Sequence, residues 1–291
     1  MRKVVLLAAA LAVTLGVVAS SATSASTETG VTARTITIGG TFPLTGRASV
    51  YAPIPAAMKA YFSYINSRKG PDGRRGIYGR QIVFNIYDDA YNPAQTVQMT
   101  RRLVEQDKVF AVVGSLGTEH NEAIRPYLNS NKVPQLLNAT GASTWSRDAT
   151  KYPWTGGWQP DYEWEGRNYG QAIARNSPNA KIAVLYQNDS FGQDNLRGFR
   201  TGLGAKASNI VGLESYELGA VDVRSQMARL RSSGATILVI FAIPTYASPA
   251  YPIANALRWS PAVIYTSSVA ATDTFLTASK NAGGGDPVDR T

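Results

Sequence analysis

The sequence predicts an α/β protein made of two Rossmann-like lobes with parallel sheets, facing one another across a cleft. Three observations carry this. Short runs rich in β-branched residues alternate along the chain with helix-length segments. Several of the runs are apolar at consecutive positions, as strands covered on both faces must be. The alternation breaks once, between about Ala139 and Pro160, in a stretch rich in Gly, Ser, Thr, Pro and Trp. Two similar halves joined by one irregular segment imply lobes at roughly 31–150 and 151–270, with 271–291 left as a tail. Clefts between such lobes are where small molecules bind.

The elements follow in order. Met1-Arg2-Lys3 precedes the apolar run Val4–Ala19 and the small residues S-S-A-T-S-A-S. This is the pattern of an export signal over 1–25, with a small-x-Ala cleavage site at Thr23-Ser24-Ala25. The apolar run falls short of the ~20 residues a membrane-spanning helix needs, and the chain has 0 Cys to carry a lipid. The mature chain is therefore expected in the periplasm or outside the cell, and not as a lipoprotein. Strands are expected at Thr35–Gly39, Gln81–Ile86, Val109–Val113 and Val133–Leu137 in the first lobe. In the second they are expected at Lys181–Tyr186, Ile210–Tyr216, Thr236–Phe241 and Ala262–Tyr265. Between them, apolar residues recur at helical spacing, as in Met58/Tyr61/Phe62/Ile65, Tyr162/Gly166/Tyr169/Ile173 and Leu196/Phe199/Leu203. Asn92-Pro93 marks a helix start, and the pair Asp88-Asp89 just before it is expected to cap that helix. Lys280–Thr291 reads as a polar, Gly-rich tail with no closing helix.

Composition narrows the chemistry. The 291 residues hold 29 Lys+Arg against 20 Asp+Glu, one His and no Cys. Thiol nucleophiles, disulfides, Cys-ligated metals and two-His acid–base sites are excluded. The basic residues are scattered and form no stripe interleaved with aromatics, so no nucleic-acid partner is expected. Gly202-Leu-Gly-Ala-Lys206 lies at the end of a helical pattern and reads as a helix C-terminus, not a phosphate loop. His120 follows Thr118-Glu119 in the first turn of a helix and reads as a polar helix-terminal residue near the cleft. Asp88, Asp89 and Glu119 are the carboxylates a hydrolase would have to use. Adjacent residues at a strand end point to opposite sides, however, and the sequence offers no base–nucleophile pair. No enzyme, cofactor or metal is expected.

In open parallel sheets ligands sit beyond the carboxyl ends of the strands. After Val109–Gly114 comes S-L-G-T-E-H-N, and after Val133–Leu137 comes N-A-T-G-A-S-T. Free backbone N–H groups there, with Thr118, Thr140, Ser143 and Thr144, would receive a carboxylate; they would equally serve as helix caps.

Five strings in series now matter together: I-T-I-G-G with F-P-L-T-G-R-A-S-V-Y, then G-I-Y-G-R-Q-I, Y-D-D-A-Y-N-P-A-Q-T-V, A-V-V-G-S-L-G-T and V-P-Q-L-L-N-A-T-G-A-S. In this order, over about Thr35 to Thr272, the chain resembles the branched-chain amino-acid-binding proteins of ABC importers, the type I periplasmic-binding-protein group. The resemblance implies a two-lobe protein that closes on a small ligand and hands it to a permease in the membrane. It implies that Tyr51 covers the ligand and that Thr118 meets its carboxylate. Gly141, Ala142 and Ser143 would supply backbone and hydroxyl contacts, Phe191 an aromatic from the second lobe, and Thr245 a contact from the loop after Phe241. Ser268 stands where amino-acid binders place an acidic partner for the ligand amine. Tyr91 and Gly117 stand where some members pair cysteines, and family members run on past the end of this chain. The hydroxyl at Ser268, with Tyr51, Phe191 and Trp158 near the cleft, favours an acid without an α-amine, such as an aromatic or keto acid. Asp189 is the residue that could serve an amine instead. A ligand-sensing receptor module on the same fold is the alternative function.

Overall fold

The computed structural model describes residues 28–284; the expected export signal and residues 285–291 lie outside the described residues. The first lobe is a five-stranded sheet in the order β2-β1-β3-β4-β5. Its strands are β1 (Thr35–Phe42), β2 (Gln81–Asp88), β3 (Ala111–Val113), β4 (Gln135–Asn138) and β5 (Thr155–Gly157). Helices α1 (Pro53–Ser67), α2 (Pro93–Glu105), α3 (Thr118–Ser130) and the single turn α4 (Thr144–Arg147) connect them. The second lobe has the order β7-β6-β8-β9, with β6 (Ile182–Gln187), β7 (Ile210–Tyr216), β8 (Ile237–Phe241) and β9 (Val263–Thr266). Its helices are α5 (Tyr162–Asn176), α6 (Ser190–Leu203), α7 (Arg224–Ser232), α8 (Pro244–Ala256) and α9 (Asp273–Ser279). Every pairing of strands in both sheets is parallel. Each of the eight expected apolar runs forms a strand. In both sheets the strand order reverses beside the first strand of the lobe, which opens a crevice at the carboxyl ends.

Burial shows why these runs are strands. All five residues of β8, Ile-Leu-Val-Ile-Phe, are buried. Leu238 and Ile240 join Leu185 and Met227 in one core, while Ile237, Val239 and Phe241 join Val184 and Phe199 in another on the opposite face. Helices α5 and α6 meet through glycines. A Cβ on Gly198 would sit 1.9 Å from the Glu163 carbonyl oxygen, and one on Gly170 would sit 2.3 Å from that of Phe199. At these positions no side chain separates the two backbones.

Three expectations need correction. The stretch from Ala139 to Pro160 is not irregular throughout, because it contains α4 and β5. Both are too short to show a period, and β5 joins the sheet through main-chain atoms, with Gln135 opposite Thr155 and Leu136 opposite Gly156. Sheet membership therefore carries the first lobe to Gly157 and narrows the crossover to 158–161. Second, the cap of α2 is Asn92, whose side chain accepts from the N–H groups of Ala94 and Gln95 at 2.9 and 3.4 Å. Asp88 instead organises the loop after β1, accepting from Leu44 N–H at 2.9 Å and from the Thr45 hydroxyl. Asp89 is buried and accepts from Tyr91 N–H and the Thr96 hydroxyl. Third, Lys280–Gly284 does not trail away. It continues helical turns from α9, and Asn255 Nδ2 on α8 donates to the Gly283 carbonyl at 2.7 Å.

The Asn92 cap yields a simple test. Asn92→Ala is expected to lower the unfolding free energy by about 1 kcal/mol, the usual worth of an N-cap. Urea denaturation measures it, and an unchanged midpoint would remove the cap from the account of α2.

Candidate functional site

The carboxyl ends of the two sheets face each other and enclose a cavity of ≈ 150 Å³. From the first lobe come Tyr51, in a short turn after β1, Tyr91 after β2, and Leu116, Gly117 and Thr118 after β3. The second lobe contributes Tyr162 at the start of α5, Gln187 at the end of β6, and Phe191 in the first turn of α6. Ile243 and Val269 close the far wall, and Gln159 belongs to the crossover. Among the described residues, none that lines the cavity carries a charge.

Local sequence explains the first-lobe wall. Gly117 has φ +105°, a conformation that side-chain-bearing residues rarely adopt. That turn places Thr118 as the first residue of α3, so its N–H has no partner within the helix. The Tyr91 ring lies against His120, with centroids 4.2 Å apart. Both nitrogens of His120 are buried, and burial lowers its pKa to about 4, against a weaker opposing pull from the Tyr91 backbone. It is thus a neutral, packed ring, not the polar residue expected from its place in the sequence.

Hydroxyls line the next side. The Thr118 and Thr140 hydroxyls are 2.7 Å apart, and Ala142 N–H donates to the Thr140 oxygen at 3.3 Å. Burial pushes the Tyr162 phenol up to about 12, against the opposing pull of hydrogen bonds from Gly141 N–H and the Thr140 hydroxyl. Burial raises Tyr51 and Tyr91 as well. All three phenols are therefore protonated at neutral pH and able to donate. Tyr162 and Phe191 pack edge to face at 4.8 Å.

Gln187 is held in one orientation by buried groups. Ile243 N–H donates to the Tyr216 hydroxyl oxygen at 3.3 Å, so Tyr216 donates its own proton to Gln187 Oε1 at 2.9 Å. Gln187 Nε2 donates one proton to Asp189 Oδ2 at 2.6 Å and keeps the other. Asp189 Oδ1 meanwhile accepts from Gly192 N–H at 3.1 Å as the N-cap of α6. Burial pushes the Asp189 carboxyl up to about 6. The wall is rich in donors, and the Asp189 carboxylate behind it is occupied by protein groups.

Of the eight residues expected at the site, the structure brings Tyr51, Thr118 and Phe191 to the cavity. Gly141 and Ala142 lie in a neighbouring groove with Trp145 and Trp158, and the Gly141 carbonyl accepts from Tyr162 N–H at 2.8 Å. Ser143 turns away. Its N–H donates to Asp194 on α6 at 2.7 Å, and its hydroxyl accepts from Arg147. Thr245 donates to the Arg47 carbonyl at 2.7 Å, outside the cavity. Ser268 lies in an adjoining groove with Trp164, where its N–H and hydroxyl donate to the Glu165 carboxylate at 2.7 and 3.1 Å. Tyr162 and Gln187 line the cavity without having been expected there, and Thr140, named for the carboxylate but not among the eight, lines it too. Thr140 carried a signal, standing in the hydroxylic loop after β4. Tyr91 and Gly117 were visible only as the paired departures from cysteine, and the structure makes them neighbours: a Cβ on Gly117 would lie 3.1 Å from the Tyr91 ring.

Residues 35–286 match the family model described as periplasmic binding protein. The chain is similar to the "Leu/Ile/Val-binding protein homolog 7" of Brucella abortus (strain 2308), with 25% identity over 182 residues, 58% of this chain and 43% of the relative. The match thus spans less than half the length of that relative. Among solved structures, a substrate-binding periplasmic protein from Ralstonia solanacearum superposes with TM-score 0.72 at 23% identity, covering 86% of this chain and 67% of that one. A solute-binding protein of an ABC transporter from R. palustris, solved with 4-hydroxybenzoate, superposes with TM-score 0.71 at 20% identity, over 86% and 66% of the two chains.

Proposed function

The chain belongs to the periplasmic binding protein family, and from that premise we propose that it is the solute-binding component of an ABC importer, closing its two lobes on a small carboxylated ligand. The family and fold are those of extracytoplasmic binding proteins rather than enzymes. Among the described residues no helix is long and apolar enough to cross a membrane. In this reading residues 1–25 direct export, and a separate membrane permease receives the ligand.

The observation that carries the reading is the cavity between the lobes, walled by both of them, so that a ligand held there stabilises the closed arrangement. The first turn of α3, the Thr118 hydroxyl and the Tyr162 phenol form a receptor for an oxyanion. No lining carboxylate is available to an ammonium among the described residues, and leaving one unpaired in a buried site costs several kcal/mol. Glu165 lies beside Ser268, but its oxygens already accept from Ser268 and Tyr169. The donor-rich wall therefore favours an acid without an α-amine. Tyr91, Tyr162 and Phe191 favour a flat body, and a cavity of this size holds a benzene ring in another protein. The R. palustris neighbour solved with 4-hydroxybenzoate is consistent with that class.

Calorimetry on the full chain with 4-hydroxybenzoate, benzoate and phenylpyruvate, against leucine and valine, tests the proposal. The acids are expected to bind and the amino acids not. Thr118→Ala is expected to weaken binding of the acid by about 1–3 kcal/mol, the range for a hydrogen bond to a charged group. Binding of leucine with none of the acids would overturn the ligand class, and Asp189→Asn would then be expected to abolish it.

A further inference from the structure

We infer that Arg47 is a positioning residue that latches the two lobes together across the mouth of the cleft, and that it biases the protein towards the closed arrangement before any ligand is bound. Arg47 belongs to the first lobe, in the loop between β1 and α1. Its guanidinium donates to two main-chain carbonyls of the second lobe, those of Ala220 and Val221, in the loop after β7. Its own carbonyl accepts from the Thr245 hydroxyl at the start of α8. One residue thus donates to one second-lobe segment and accepts from another. The Tyr246 hydroxyl braces the receiving loop by donating within the second lobe, with the Leu218 and Ala220 carbonyls at 2.6 and 3.0 Å.

The first-lobe side is equally prepared. Gly46, at φ +78°, reverses the chain just before Arg47, and a Cβ there would lie 3.0 Å from the Ala90 carbonyl oxygen. Asp88 pins the same loop through Leu44 and Thr45, and it also accepts from Ala90 N–H at 2.9 Å. The carboxylate that was a candidate helix cap therefore shapes the loop that presents the latch.

None of these contacts touches the cavity, so they act on the open–closed equilibrium and not on the ligand. The fraction of molecules already closed scales the apparent affinity for any ligand. Both bonds come from Nη1 of the guanidinium, whose planar group holds its N–H donors in fixed directions, unlike the rotating ammonium of lysine. Because the latch is partly exposed, its effect is discounted from that of a buried charged pair.

The test needs no ligand, so its outcome is separate from that of the transport reading. The chain has no Cys, and Lys59→Cys on α1 with Arg231→Cys on α7 provides one exposed label site in each lobe. Spin-label distances on the ligand-free protein are expected to show a dominant population at the separation seen here. Arg47→Ala should shift the closed-to-open ratio by on the order of tenfold, Thr245→Val should shift it less, and Arg47→Lys should restore part of the loss. The melting temperature of each variant checks that the lobes remain folded. Identical distance distributions for the parent and Arg47→Ala, or a parent that is already fully open, would overturn the latch.

Discussion

Replacing His120 with phenylalanine is expected to add roughly 2.5 kcal/mol to the stability the protein gains between about pH 7.5 and pH 4.5. Asp89 and Asp189 are both raised to about 6 in the folded protein, chiefly by burial, whereas an unfolded Asp titrates near ~3.9. Between those values the folded state binds more protons, so stability rises as pH falls through that window. His120 works in the opposite sense. Its folded value of about 4 lies below the ~6.5 of an unfolded His, so the unfolded state takes up the proton first and stability falls on acidification. Glu119, Glu122 and Asp194 are also raised chiefly by burial and add to the rise, while His120 removes about 2.5 kcal/mol of it. Phenylalanine keeps a ring against Tyr91 and removes the opposing titration. Asp72 and Asp148, lowered by hydrogen bonds from Arg74 and Thr144, oppose the gain weakly because they are solvated. Urea midpoints across this pH range measure the effect. Coincident profiles for the parent and His120→Phe would refute it, and adding Asp189→Asn should remove about 2 kcal/mol of the rise.

Gly117→Ala is expected to lower stability by about 2–6 kcal/mol and to disturb the cavity wall at the same time. Its backbone, φ 105° and ψ 143°, lies in a region where a side chain costs about 1–3 kcal/mol. The new methyl would also lie 2.4 Å from His120 Nδ1, and making room adds an overpacking cost of about 1–3 kcal/mol. The His120 ring would be driven towards Tyr91, which lines the cavity between the lobes. Urea unfolding gives the first effect, and near-ultraviolet circular dichroism of the tyrosines reports the second. In a Gly117→Ala/His120→Ala pair the steric part should vanish, giving a coupling of about 1–2 kcal/mol. A single variant as stable as the parent would remove the steric account.

The strands were legible because a strand buried on both faces leaves an unbroken apolar run, as β8 does. Helix α8 was harder to see. Pro249 and Pro252 lie inside it and its apolar residues surround it, so neither the usual breakers nor a one-sided stripe signals a helix. For β5 and α4 the information lies in main-chain pairing, which no side-chain pattern reports. At the site, Tyr51 and Phe191 were legible only through the family resemblance, and Thr118 also because loops after strands define the cleft in this topology. Ser143 and Ser268 were misplaced for one shared reason: carboxylates on second-lobe helices, Asp194 and Glu165, take up their donors. The orientation of Gln187 was invisible, since it is set by Tyr216, 29 residues away in sequence.

The glycine contact between α5 and α6 has a mechanical consequence. Where the glycines meet, no side-chain layer lies between the two helices to deform, and close-packed interiors transmit displacement rather than absorb it. The second lobe should therefore swing as one stiff lever. Among the described residues its covalent fulcrum is the short segment 158–161, where the chain passes from β5 to α5. Compliance is concentrated there, so a proline or a small insertion in those four positions should retune the whole swing while leaving each lobe's interior untouched.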